Sequence, residues 1–85
     1  MQLKEYKTME AEYAGGITLQ FKFENGYGAS VVKHDFSYGG QDGLWEVAVL
    51  DEDLQICYHT PITQDVIGYQ TWKQVEKICE EIQSL

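Results

Sequence analysis

Arginine is absent from this 85-residue chain, and proline occurs once, at Pro61. Without arginine the usual means of planar, bidentate phosphate or carboxylate recognition is missing. Six lysines stand against fourteen acidic residues, for a formal charge of −8. That balance repels nucleic-acid phosphates and anionic membrane surfaces, so direct binding to either is not expected. Two cysteines, Cys57 and Cys79, are too few for a disulfide framework. Both sit in apolar patterns where a free thiol packs well. No apolar run reaches the roughly 18 residues of a membrane span, and the stretch MQLKEYKTME lacks a signal-peptide core. The expected setting is a reducing cytoplasm.

What is present argues for a folded globule. The hydrophobic fraction is 44%, with two tryptophans, six tyrosines and three phenylalanines to build a core. The length suits one small domain, residues 1–85, with a thin core margin. Ile17, Leu19, Phe21 and Phe23 alternate with Thr18, Gln20 and Lys22, the period of a half-buried strand. Asn25-Gly26 follows, suited to the positive φ of a tight hairpin, and the chain returns through Ala29 to Lys33. Trp45, Val47 and Val49 then share one strand face, and Leu44, Glu46, Ala48 and Leu50 the other. Asp51-Glu52-Asp53 turns the chain into a further expected strand, Leu54 to Tyr58. Residues 61 to 70 read as a connecting segment.

Thr71 with Gln74 three positions on forms a capping box. Trp72, Val75, Ile78, Cys79, Ile82 and Leu85 then recur at helical spacing, predicting an amphipathic helix that covers one face of the sheet. The first fourteen residues permit two readings. Met9, Ala11 and Tyr13 alternate as in an edge strand turning at Gly15-Gly16, whereas Leu3, Tyr6, Met9 and Tyr13 would line a short helix. The edge strand is preferred, because its glutamates would resist aggregation. The expected fold is therefore α+β: a four- or five-stranded antiparallel β-meander with one C-terminal amphipathic helix packed on one face.

Chemistry is harder to find. The dinucleotide pattern G-x-G-x-x-G begun by Gly26 and Gly28 would need glycine where Val31 stands, and a helix where a strand follows. Cys57 and His59, joined by His34 and Asp35, could form a metal or small-molecule site, but no zinc-ligand spacing is present. A Cys-His pair without an orienting group is common by chance. The loop from Asp35 to Gly43 is longer than a hairpin needs; either His34, Asp35, Phe36 and Tyr38 offer a small aromatic and polar binding surface, or Phe36 and Tyr38 fold back onto the sheet edge. Asp51, Glu52 and Asp53 in one turn, with Glu76, Glu80 and Glu81 on the helix, offer an acidic one. Glutamates in the last helical turns oppose the helix dipole, a cost that a basic partner would relieve. No enzymatic activity, cofactor or metal is expected.

The run ENGYGASVVKHDFSYGGQDGLWEVAVL, followed by CYHTPITQDVIGYQT and a helix rich in valine, isoleucine and glutamate, carries a likeness. From about Phe23 to Leu85 the chain resembles a group of small uncharacterised proteins encoded by bacteriophages and prophages of Gram-positive bacteria. The resemblance implies a bacterial host cytoplasm and no particular reaction. The expected role is that of a non-enzymatic acidic phage protein that binds a host or phage protein. One such role is to inhibit a host defence or nucleic-acid-handling protein. The alternatives are a small-molecule or metal-binding domain using Cys57, His59, His34 and Asp35, and a structural or accessory phage protein.

Overall fold

A computed structural model describes residues 3–63 and 65–85. Five strands form one antiparallel sheet in chain order: β1 Lys7–Tyr13, β2 Gly16–Lys22, β3 Gly28–Lys33, β4 Trp45–Leu50 and β5 Ile67–Gln70. One helix, α1 Trp72–Gln83, packs across one face. The α+β meander with its C-terminal helix is thus the fold of this chain.

Both readings of the N-terminal segment hold in part. Leu3–Tyr6 forms a 3-10 turn with Leu3 buried, and β1 follows as the edge strand. The hairpin turns at Ala14-Gly15, one residue before the expected pair. Both turn residues have positive φ (48° and 78°), as a two-residue type I′ turn requires. Gly16 already belongs to β2, where a Cβ would overlap the Lys33 carbonyl of β3. That glycine serves close strand approach rather than the turn.

The β2–β3 turn places Gly26 at φ 93°, as expected, but it is a three-residue loop. Phe23 N–H donates to Tyr27 O (2.8 Å) and Gly26 N–H to Phe23 O (3.2 Å). Register then sorts the side chains, because residues directly opposite share a face. Leu19 faces Val31, Phe21 faces Ala29, Val31 faces Val47 and Ala29 faces Val49. These residues meet Val75, Ile78, Cys79 and Ile82 of α1, with Leu3 and Phe23, in one buried core. Trp72 sits at the rim, its ring 5.1 Å from that of Trp45, with Lys33 Nζ 4.6 Å from the Trp45 ring centre. The capping box is present: Thr71 Oγ1 accepts from Gln74 N–H (3.2 Å) and Gln74 Oε1 from Thr71 N–H (2.9 Å).

The strand expected at Leu54–Tyr58 does not form. Asp51 Oδ1 accepts from the N–H groups of Asp53 (2.9 Å) and Gln55 (3.0 Å), and Leu54 takes φ 61°, so the turn extends to Gln55. Only Ile56 and Cys57 then lie beside β4, through a bridge to Leu50 and a Cys57 N–H to Val49 O bond of 2.7 Å. Pro61 cannot donate to a ladder, and the chain leaves the sheet before it. It returns at Ile67–Gln70, within the segment read as a connection, and pairs with Val47 and Trp45. The outer side of β4 is therefore served by two separate pieces of chain.

Candidate functional site

Three turns meet at one end of the molecule. Asn25, in the β2–β3 turn, donates from Nδ2 to Ile82 O (2.9 Å) and Leu85 O (3.5 Å) at the end of α1. Its Oδ1 accepts from Tyr27 N–H (3.1 Å), so one side chain holds both its own turn and the helix terminus. On the other side of that turn, the Glu52 side chain lies against Gly26, in ordinary van der Waals reach of a Cβ placed there. Lys22 Nζ donates to Glu52 O (3.1 Å) and secures the turn after β4. A cleft of about 140 Å³ opens between the two turns, lined by Asn25, Gly26, Tyr27, Asp51, Glu52 and Cys57.

This end carries exposed carboxylates from separate parts of the sequence. Glu24, Glu52 and Asp53 are exposed on the two turns, and Glu80 and Glu81 on the last turns of α1. No basic residue occupies the last turn of α1, so the negative end of the helix dipole adds to the same field. Asp51 contributes differently. It is half-buried, and its carboxylate is engaged by the turn it builds. Glu76 is exposed further up the helix; burial, and after it the charge of Glu76, pushes the pKa of the Cys79 thiol up to about 12. Cys79 therefore stays protonated at neutral pH, a packed side chain without nucleophilic character.

The opposite end holds the aromatic loop. Phe36 and Tyr38 are exposed, at 79% and 61%. His34 lies 5.0 Å from Tyr13 and 6.4 Å from Phe36, each edge-to-face, so Tyr13, not singled out with the loop residues, joins His34 and Phe36 in a ring cluster. His34 Nδ1 accepts from Phe36 N–H (3.1 Å), which fixes the ring orientation. The Ala14-Gly15 turn and the register Ile17↔Lys33 bring Tyr13 beside His34, a proximity that needs two hairpin registers to be known at once. Tyr38 is tied down from both sides, with its N–H to Glu46 Oε1 (3.0 Å) and its carbonyl accepting from Tyr69 N–H (3.1 Å).

The proposed quartet Cys57, His59, His34 and Asp35 is not brought together. Cys57 bonds beside Val49, opposite Ala29, whereas His34 follows the far end of β3. Five extended residues, about 16 Å, separate those positions along the strand. Cys57 and His59 do not share a strand face either, because the chain is irregular after Cys57; Cys57 is half-buried and His59 exposed. Among the described residues, no group of three or more His, Cys, Asp or Glu is placed to hold a metal ion. No described helix is long and apolar enough to cross a membrane. No protein-family model, curated protein or solved structure matches this chain.

Proposed function

We propose that this chain is a non-enzymatic binding protein whose acidic end receives a protein partner with a Lys/Arg-rich surface. The observation that carries the reading is that the turns bearing Glu24, Glu52 and Asp53 meet the last turns of α1, which bear Glu80 and Glu81, at Asn25. Fixed like charges close together raise the local potential and cost some stability, and a basic surface removes that repulsion as it docks. With the expected likeness to phage and prophage proteins, the partner is a host or phage protein, of which a host defence or nucleic-acid-handling protein is one candidate. Such proteins present basic grooves to nucleic acid, and an acidic protein can occupy them. The site lies in the bacterial host cytoplasm on this reading.

Affinity capture from a Gram-positive host, with the recovered protein identified by mass and rebound in purified form, tests it. Association should slow markedly as salt rises, because screening shortens the reach of the field to about 3 Å at 1 M. Glu80→Lys with Glu81→Lys should weaken it further. Salt-independent association, or full affinity in that double variant, would remove the acidic end as the docking surface.

A further inference from the structure

The two edges of the sheet are treated differently. β5 has four residues, an irregular register against β4, and a Tyr69 N–H already taken by Tyr38. β1 has seven residues, all exposed. Phe23 N–H points to β3, since it bonds Tyr27 O. Backbone groups alternate sides along a strand, so Ile17, Leu19 and Phe21 also point to β3 while Gly16, Thr18 and Gln20 point to β1. Their partners Tyr13, Ala11 and Met9 are thereby satisfied. Glu10 and Glu12 are left with N–H and C=O directed away from the sheet. An open edge of this kind is a template for another strand.

We propose that β1 is a strand-addition site for an extended, basic-alternating peptide segment, with lysine or arginine at every second position and apolar residues between. An added antiparallel strand would pair its backbone with the outward groups of Glu10 and Glu12, the mode of β-augmentation. Its residues opposite these glutamates share their face, where opposite charges stabilise and like charges do not. Lys7 partners Glu10, but both side chains are well exposed, and such a pair is worth little against an incoming cation. The intervening residues of the added strand lie beside Met9, Ala11 and Tyr13, of which Met9 is 40% and Tyr13 58% exposed. The bulge between Lys7 and Met9 ends the regular register and so sets one limit of the site.

A second copy of this chain is the poorer occupant. With equivalent faces aligned, Glu10 of one copy would stand opposite Glu10 or Glu12 of the other. Two bodies of charge −8 would have to approach for that contact. The site lies apart from the acidic end, so the two proposals can fail separately.

The test uses the full chain and two synthetic peptides, one alternating lysine with valine and one alternating glutamate with valine. Amide exchange is followed residue by residue. At free peptide about ten times its dissociation constant, the lysine peptide should slow exchange of the Glu10 and Glu12 amides roughly tenfold. The Met9 and Ala11 amides, already bonded to β2, should exchange more slowly at the outset and slow further only as far as the peptide holds β1 closed. Glu10→Lys with Glu12→Lys should lose the lysine peptide and gain the glutamate one, while Glu80→Lys with Glu81→Lys should keep the lysine peptide. Glu12→Pro, which removes the outward N–H together with the Glu12 carboxylate and no bond to β2, should weaken the lysine peptide more than Glu12→Gln, which removes the charge alone. Absence of protection would overturn the proposal. So would equal protection by both peptides, or protection that appears without peptide as protein concentration rises.

Discussion

β1 and β4 carry the same kind of alternation, yet they end in opposite environments. In β4, Val47, Ala48, Val49 and Leu50 are all buried, with Val47 and Val49 against α1. In β1 nothing is buried, and Met9, Ala11 and Tyr13 pair with Gln20, Thr18 and Gly16, on the face away from α1. Its glutamates share the helix-side face with Ile17 and Leu19, but remain exposed. Alternation therefore reports that a segment is a strand. Which side faces the core, and whether any does, is set by register and by the place of the strand in the sheet.

That difference can be broken most strongly from beneath β4. Ile82→Ala removes a fully buried side chain from the core shared by α1 and the central strands, and should cost about 2–5 kcal/mol in denaturant unfolding. A loss below about 1 kcal/mol would mean the helix does not depend on this packing. Asn25→Ala should come next. It deletes a 2.9 Å bond to Ile82 O and a 3.1 Å bond from Tyr27 N–H at a part-buried to exposed site, each worth about 0.5–1.5 kcal/mol. An unchanged unfolding midpoint would show that water replaces both. The smallest effect belongs to β1, where Met9→Ser should stay within about 0.5 kcal/mol of the parent. A larger loss would show that the outer face of β1 packs against something and is not open.

Much of this was legible in the residues. The period of two around Phe21 and Val47, the Asn25-Gly26 turn and the Thr71-Gln74 capping box each act over a few neighbours, so local pattern reveals them. Local pattern misplaces the fifth strand for a non-local reason. Leu54 to Tyr58 has the composition of a strand, but Asp51 holds the chain in its turn as far as Gln55 and Pro61 forbids continuation. Ile67–Gln70 pairs only because β4 still has an unpaired side at Trp45 and Val47, which no short window contains. The acidic residues were identifiable, but not their sorting. Asp51 works inside its turn, while Glu24, unremarkable in sequence, joins Glu52 and Glu80 through the long-range contact of Asn25.

The bond from Asn25 to Ile82 joins positions 57 residues apart. Hairpins close within about 1–10 μs and helices faster still, so both pieces can form before they meet. Closing so long a stretch of chain costs entropy that only the assembled core repays. A bond made on an already assembled core acts as a latch, holding the last turn of the helix against the tip of a hairpin. Its loss in Asn25→Ala should therefore speed opening of the native state and leave the refolding rate nearly unchanged. A slowed refolding limb in stopped-flow measurements would instead place the latch inside the folding nucleus. On the first outcome, the lifetime of the acidic end as one surface is a kinetic property, governed by a side chain that carries no charge.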